Sequence, residues 1–234
     1  MESFDLSPEE VVKQALVNKV NFISFTYTEP TIFYEYMFDI SKLAKSAGLK
    51  TLLNTNGFIN PEPLKELLPY LDAVNIDLKG FTPEFYVENC SGELEPVLRS
   101  LELVKEEGVH LEIVNLVIPT LNDDMEKVKE MCLWIKEDLG TEVPLHFTRF
   151  FPAYQLIKLS PTPVETLEQA RSIALEAGLK YVYIGNVPGH PANNTFCPRC
   201  GEKLVGRTGL TVTANNLQQG RCPFCGYQIP GIWE

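Results

Sequence analysis

Strands and helices are predicted in alternation along residues 1–186. Short apolar runs without helical spacing predict strands at 22–25, 50–54, 73–77, 110–118, 143–150 and 181–184. Segments that begin with a capping residue or proline, and that mostly end at glycine, predict helices at about 7–18, 31–47, 61–68, 96–107, 122–139 and 162–177. Because every strand except the last is followed by a helix, we expect parallel strands with right-handed crossovers.

The number of predicted strands limits the choice of α/β fold. Six strands occupy about 185 residues, whereas a complete eight-stranded (β/α) barrel takes about 250. The chain also opens on a helix, where a strand would ordinarily come first. We therefore predict a partial, TIM-like (β/α) barrel whose first strand is missing, or an open doubly wound sheet.

Several helix starts carry candidate capping residues. The segment Ser7–Glu10 has the capping-box pattern, with proline at the first helical position. Thr28 is the candidate cap of the second helix, and Asn122 or Asp123 of the fifth. These residues set the predicted helix boundaries.

The pattern changes after Gly185, and this change predicts the domain organisation. Residues 187–195 are rich in turn formers and predict a linker. Residues 196–234 have no helical period and contain two Cys-x-x-Cys pairs. We predict a barrel domain at 1–186, a linker at 187–195 and a small four-cysteine module at 196–234.

The two cysteine pairs predict a metal site. Cys197, Cys200, Cys222 and Cys225 supply four thiolates for one tetrahedral ion, and a glycine follows each pair. A module of this size is too small to fold well without its metal. Zinc in a zinc-ribbon module is favoured, a rubredoxin-like iron site uses the same ligands, and disulfides are the disfavoured alternative.

Charge and hydropathy narrow the choice of partner. The net charge of −11 argues against a broad nucleic-acid surface, although four basic residues near the cysteines leave a small one open. No apolar run approaches the roughly 20 residues that span a bilayer, and the acidic N-terminus is unlike a secretory signal. We predict a cytoplasmic protein without membrane contact.

Polar residues stand at four predicted strand ends, which lie at one edge of a parallel α/β fold where ligands bind. They are Glu29; Asn54, Thr55 and Asn56; Asp77 and Lys79; His146 and Arg149. Each has a plain alternative: a solvated turn carboxylate, a turn pair, a local ion pair and a satisfied buried histidine. Together they favour a polar small-molecule site. Lys79 also suits a Schiff-base nucleophile, provided that it is desolvated.

In their order along the chain, these residues resemble the radical S-adenosylmethionine enzymes of the pyruvate formate-lyase activating-enzyme group. The matching motifs are Phe-Thr-Tyr-Thr-Glu-Pro at 25–30, Asn-Thr-Asn-Gly at 54–57, Asp-Leu-Lys at 77–79, Ile-Pro-Thr-Leu-Asn at 118–122, Tyr-Ile-Gly-Asn-Val-Pro-Gly at 183–189, and the cysteine pairs. The branch it resembles most is the radical enzyme of the AmmeMemoRadiSam system. The resemblance implies cleavage of S-adenosylmethionine to a 5′-deoxyadenosyl radical, which abstracts hydrogen from a substrate that can be a protein.

The resemblance also implies roles for individual residues. Glu29 matches the acidic residue that holds the methionine amino group of S-adenosylmethionine, and Lys79 matches the lysine that faces its carboxylate. Thr55 and Asp77 match residues around the ribose and a monovalent cation, and His146 matches a histidine near the cofactor.

Two neighbouring asparagines complete the predicted cofactor site. Asn56 belongs to the same strand-end motif as Thr55 and is included with the cofactor-binding residues. Asn54 stands where the activating enzymes often have aspartate, which argues against the cation site.

One departure from the family is large. Its chemistry uses a Cys-x-x-x-Cys-x-x-Cys loop that binds a [4Fe–4S] cluster, and these 234 residues contain no such motif. Cys90 and Cys132 are far apart in sequence and are predicted to be core or idle thiols. The expectation is a fragment that is inactive by itself, with an exposed strand edge where the missing strand would pair. The alternatives are a Schiff-base aldolase built on Lys79 and a non-catalytic zinc-ribbon interaction protein.

Overall fold

The structure, a computed structural model, describes residues 5–209 and 211–233. Strands and helices alternate in the order α1 (Pro8–Val17), β1 (Phe22–Phe25), α2 (Tyr34–Ser46), β2 (Lys50–Thr55), α3 (Pro61–Leu67), β3 (Ala73–Asp77), α4 (Pro83–Phe85), α5 (Leu94–Glu106), β4 (His110–Val117), α6 (Met125–Trp134), β5 (Leu145–Arg149), α7 (Val164–Ala177) and β6 (Val182–Gly185). The predicted α/β class is confirmed. Within the described residues, no helix is long and apolar enough to cross a bilayer.

Two compact units make up this part of the chain. The first contains residues 5–76 and Pro96–Leu111, and the second contains Asp77–Glu95 and residues 112–233. In the first unit β1 pairs with β2 and β2 with β3, and both pairs are parallel. In the second unit β4 pairs with β5 and β5 with β6, again in parallel.

The first unit buries one face of its strands against its helices. Leu53 of β2 and Met37 of α2 are fully buried there, as are Leu64 and Leu101 of α3 and α5. Gly57, two residues after the end of β2, has φ +74°, and a Cβ at this position would lie 2.8 Å from Cγ2 of Ile76. The turn after β2 therefore requires glycine.

The second unit has a separate core between its strands and α6 and α7. Ile113, Leu145 and Phe147 of β4 and β5 are fully buried, together with Met131 of α6 and Leu167 of α7. Burial alternates along β4, so its even-numbered residues share the partly exposed face. In the neighbouring pair, the parallel register sets His146 of β5 beside Tyr183 of β6.

The capping predictions were right at one helix and wrong at two. Ser7 and Glu10 form the predicted capping box of α1. Thr28 has φ 52° and does not cap; Glu29 caps a short 3-10 turn at Pro30–Phe33 that precedes α2. Asp124, rather than Asn122 or Asp123, caps α6, because its carboxylate accepts the N–H of Glu126 at 2.9 Å.

The remaining helix and strand boundaries differ from the predicted ones by a few residues, and the structure contains one short helix that was not predicted. The connection between β3 and α5, for which no element was predicted, contains α4 and a π-helical turn at Tyr86–Cys90. A second π-helical turn at Ile135–Leu139 continues α6 up to Gly140.

The C-terminal residues form a small antiparallel sheet in the second unit. Its strands are β7 (Thr195–Phe196), β8 (Lys203–Thr208) and β9 (Thr211–Asn215), in that order. We call residues 196–233 the ribbon. Its buried cluster contains Cys197, Leu204, Val205, Cys222 and Ile229, and Tyr181 from the start of β6 packs into the same cluster.

Candidate active site and metal centre

A tight turn after β1 brings the Glu29 carboxylate to the end of β2. Tyr27 and Thr28 both have left-handed backbone angles, with φ 60° and 52°, which reverse the chain before Pro30. The carboxylate of Glu29 then accepts the backbone N–H of Thr31 at 3.2 Å. The predicted strand-to-helix turn is therefore present, and Glu29 itself is its capping residue.

Two residues of the Asn-Thr-Asn-Gly motif hold the same carboxylate. The hydroxyl of Thr55 donates to Glu29 Oε1 at 2.6 Å, and the backbone N–H of Asn56 donates to Glu29 Oε2 at 2.7 Å. A carboxylate has about four acceptor positions. Three are used, so about one remains, on Oε2, for a donor such as an ammonium group.

A row of side chains crosses the three strands of the first unit beside this carboxylate motif. Asn75 of β3 donates its amide to Asn54 Oδ1 at 2.6 Å, and Asn54 donates to the hydroxyl of Thr26 at 3.2 Å. This row was not predicted, since sequence spacing does not show which amides meet across strands. It fixes the side chain of Asn54 from both sides.

Lys79 lies in the second unit, paired with Asp77. Its Nζ is 2.8 Å from Asp77 Oδ2, and the side chains are 41% and 35% exposed. The backbone of Lys79 is also held: its N–H donates to the Tyr86 hydroxyl at 3.2 Å, and its carbonyl accepts the Asn122 amide at 2.6 Å. Burial raises the pKa of Tyr86 well above its usual range, so its hydroxyl stays protonated.

His146 is part of a network that sequence reasoning did not find. Its Nε2 lies 2.7 Å from Oε2 of Glu112 in β4, and its ring stacks on Tyr183 with centroids 4.8 Å apart and an interplanar angle of 19°. Glu112 was missed because it lies within a strand rather than at its end. The available signal was the alternation of β4, which puts a carboxylate between the buried Leu111 and Ile113.

The predicted cofactor residues thus fall into groups. Glu29, Thr55 and Asn56 meet in the first unit; Asp77 meets Lys79 in the second, and His146 meets Glu112 there. The pairing of Glu29 with Lys79 around one ligand stays a prediction.

The four C-terminal cysteines converge as predicted. Their Sγ atoms all lie within 4.8 Å of one another, with Cys197–Cys225 at 3.5 Å and Cys200–Cys222 at 3.6 Å. A tetrahedral Zn²⁺ with Zn–S bonds of about 2.3 Å requires S–S distances of about 3.8 Å. The site therefore fits one ion and is too tight for a cube of four irons and four sulfides.

Local backbone geometry closes the two cysteine turns and lowers the pKa of one of the four thiols. Gly201 and Gly226 have φ 77° and 71°, and their N–H groups close the two turns onto the carbonyls of Cys197 and Cys222 at 2.9 Å. Burial raises the pKa of Cys197, but N–H donors from Cys200 and Arg199 outweigh it, and the pKa falls to about 7. A thiolate is the form that binds metal.

The other two cysteines do not supply a cluster site. Cys132 is fully buried in α6, and burial raises its thiol pKa from 9.0 to about 12. Cys90 is half-buried, and burial raises its pKa as well. Neither has a cysteine neighbour in a Cys-x-x-x-Cys-x-x-Cys arrangement, so these 234 residues do not fit a [4Fe–4S] cluster.

Comparison with known proteins agrees with the motifs. Residues 2–132, more than half of the chain, match the Radical SAM superfamily. An uncharacterised protein of Methanocaldococcus jannaschii is 46% identical over 227 residues, which cover 96% of this chain and 67% of that protein. The pyruvate formate-lyase-activating enzyme of Clostridium pasteurianum is 26% identical over 188 residues, covering 75% of this chain and 78% of that enzyme.

A shorter match and a solved structure point the same way. The (2S)-3-sulfopropanediol dehydratase activating enzyme of Klebsiella oxytoca is 24% identical over 115 residues, and this chain spans 36% of its length. A domain of a pyruvate-formate lyase-activating enzyme from Bacteroides vulgatus has the same fold, with a TM-score of 0.61 at 21% identity over 70% of this chain and 98% of that one. The chain therefore belongs to the radical SAM superfamily and is similar to the pyruvate formate-lyase-activating enzymes.

Proposed function

We propose that this chain binds S-adenosylmethionine for a radical reaction of the activating-enzyme type, and that it belongs to the AmmeMemoRadiSam branch. The carrying observation is the Glu29 carboxylate, which is oriented by Thr55 and Asn56 and keeps about one acceptor position. With a reduced [4Fe–4S] cluster, S-adenosylmethionine supplies a 5′-deoxyadenosyl radical. The residues of this chain hold and orient the cofactor.

Each predicted residue has a defined task in this proposal. Glu29 accepts the methionine ammonium on Oε2, while Lys79 turns its ammonium toward the methionine carboxylate. Asp77 holds Lys79 until the cofactor arrives, since the two side chains are paired and partly exposed. Thr55 and Asn56 fix Glu29 and border the ribose. His146, held by Glu112, lies near the cofactor.

The cluster ligands are proposed to come from cysteines outside these 234 residues. In the part of the chain that the structure describes, β1 pairs on one side only, with β2, and Phe22 at its start is 56% exposed. An unpaired strand edge can accept another strand. A strand that carries the three cluster cysteines, from the same polypeptide or another one, would suit that edge.

The substrate is proposed to be a protein. The relative from Clostridium pasteurianum is named for activating pyruvate formate-lyase, which is itself a protein. The ribbon, loaded with zinc or iron, would then stabilise the fold or contact the partner. Its thiolate geometry supports a single ion in either case.

The Schiff-base alternative has no structural support. A lysine nucleophile needs a depressed pKa, which comes from desolvation or a neighbouring cation. Lys79 is instead paired with a carboxylate and is 41% exposed. Borohydride trapping with a carbonyl substrate is expected to leave Lys79 unmodified.

Calorimetric titration with S-adenosylmethionine tests the proposal. The metal-loaded chain is titrated alone and with a segment that carries the three cluster cysteines. Saturable binding that weakens in both Glu29→Ala and Lys79→Ala supports the proposal. An absence of binding in both settings would leave the ribbon interaction protein as the better account.

A further inference from the structure

Within the second unit, the imidazole of His146 is held on two sides. Glu112 Oε2 lies 2.7 Å from its Nε2, and the Tyr183 ring stacks against it at 4.8 Å. The three side chains come from neighbouring parallel strands, with His146 opposite Tyr183 in the register. An imidazole held by a carboxylate at one nitrogen and a ring on one face has few orientations left.

Tyr183 is in turn held from the ribbon side. Its hydroxyl lies 3.0 Å from the hydroxyl oxygen of Thr195, and Arg207 donates to the same oxygen at 2.7 Å. The guanidinium of Arg207 also lies 5.9 Å from the Tyr183 ring centroid. Thr195 and Arg207 lie on β7 and β8, and Thr195 is only 2% exposed. The contact is therefore polar and partly buried, which makes it specific.

The residues that hold Tyr183 lie beside the four cysteines of the ribbon. Cys197 and Cys222, two of the four thiolates, are themselves members of the buried ribbon cluster, into which Tyr181 packs. A module this small has little other core, and the free energy of metal binding becomes its folding free energy. We therefore expect β7 and β8 to lose, without the ion, the geometry that places Thr195 and Arg207 on Tyr183.

We infer that Glu112 and Tyr183 are positioning residues for His146, and that metal binding in the ribbon sets the orientation of this imidazole. The path from Arg207 and Thr195 through Tyr183 to His146 consists of direct contacts in one compact unit. Only the further step, an effect on the cofactor, rests on the proposed function. The ribbon is thereby assigned a part in shaping the candidate active site.

The test observes the ring nitrogens of His146 by ¹H–¹⁵N NMR, which distinguishes the two tautomers and the imidazolium. Spectra are recorded for the metal-loaded chain and after chelation, with the Trp233 indole signal reporting the state of the ribbon. Chelation is expected to move the His146 signals together with Trp233. Unchanged His146 signals beside a displaced Trp233 signal would overturn the inference.

Substitutions locate the coupling and remain informative if one of them unfolds. Tyr183→Leu removes the stacked ring, whereas Tyr183→Phe keeps the ring and loses only the hydroxyl. We therefore expect a smaller change in the His146 signals for Tyr183→Phe than for Tyr183→Leu.

Arg207→Gln is expected to shift the NMR signals of His146. Lys203→Gln, the same charge change on the same strand, is the matched control and should leave the His146 signals in place; equal shifts in both would count against the inference.

A separate titration distinguishes this inference from the proposed function. Calorimetry with S-adenosylmethionine is run on the metal-loaded and chelated chains. If neither form binds while His146 still responds to the metal, the proposed function fails and the positioning inference stands. If His146 does not respond to the metal, the positioning inference fails, whatever the calorimetry shows.

Discussion

The backbone N–H of Asn56 donates to Oε2 of Glu29 at 2.7 Å, which ties the turn after β2 to the turn after β1. Together with the Thr55 hydroxyl at 2.6 Å on Oε1, this bond fixes the carboxylate before any ligand arrives. A carboxylate that is already oriented loses little conformational entropy when it binds an ammonium group.

Replacing Glu29 is predicted to affect stability and cofactor binding together. Glu29→Ala removes the acceptor for three N–H or O–H donors and should cost about 1–3 kcal/mol of unfolding free energy. Affinity for S-adenosylmethionine should fall roughly tenfold or more, since a charged hydrogen bond is lost. Urea unfolding and calorimetry measure the two effects. Glu35→Ala, an exposed carboxylate on α2, is the control and should change neither.

Replacing Lys79 is predicted to weaken cofactor binding with little effect on the free energy of unfolding. Its ion pair with Asp77 is partly exposed, so Lys79→Ala should change the unfolding free energy by less than about 1 kcal/mol. Affinity for S-adenosylmethionine should nevertheless fall roughly tenfold or more. Lys42→Ala on α2 is the comparison for loss of a lysine elsewhere. A Lys79→Ala chain that binds as tightly as the wild type would exclude the role assigned to Lys79.

The sequence was sufficient for the order of strands and helices because proline, glycine and capping residues mark most of their ends. It was insufficient where the backbone adopts rare angles. The positive φ of Thr28 accompanies a cap at Glu29, and burial does not alternate along the ribbon strands: β8 has three consecutive buried residues and β9 is exposed throughout.

The candidate site was predicted to the same extent. The candidate residues were chosen because parallel strands end at one edge, and the ion pair that was the plain alternative for Asp77 and Lys79 is present. Contacts between side chains of different strands, such as Glu112 with His146 or Asn75 with Asn54, depend on register. A single sequence does not specify register well enough to find them.

The buried thiol of Cys132 is predicted to make stability fall at high pH. Burial raises its pKa from 9.0 to about 12, so above pH 9 the unfolded chain loses this proton while the folded chain keeps it. The unfolded state then binds fewer protons than the folded state. The free energy of unfolding therefore falls by about 1.4 kcal/mol per pH unit between the two pKa values. Urea unfolding between pH 9 and 10.5 should show a steeper loss for the wild type than for Cys132→Ala. Equal slopes would contradict the assignment.

The metal content of the purified chain is predicted to depend on the four ribbon cysteines alone. The chain should carry one ion, because the four Sγ atoms lie within 4.8 Å of one another. Cys197→Ser should lose most of that metal, whereas Cys90→Ser should retain it. Elemental analysis of the purified proteins gives the count and also identifies zinc or iron. Full metal content in Cys197→Ser would contradict the four-thiolate site.

The lack of a three-cysteine motif in these 234 residues predicts that they do not cleave S-adenosylmethionine by themselves. After reconstitution with iron and sulfide under a strong reductant, the 234-residue chain should release no 5′-deoxyadenosine from S-adenosylmethionine, because it contains no three-cysteine motif. Chromatography of the reaction measures the product, and a chain that carries the motif in addition is the positive comparison. Release by the 234-residue chain alone would contradict the proposed source of the ligands.

Whether Lys79 holds the methionine carboxylate is measured by a thermodynamic cycle that combines Lys79→Ala with removal of the cofactor's carboxylate. Calorimetry would compare S-adenosylmethionine and decarboxylated S-adenosylmethionine on the wild type and on the variant. If Lys79 faces that carboxylate, decarboxylation should weaken binding to the wild type but hardly affect Lys79→Ala, with a coupling energy of roughly 1–3 kcal/mol. Equal losses on both proteins, and hence no coupling, would contradict the claim that Lys79 holds the methionine carboxylate.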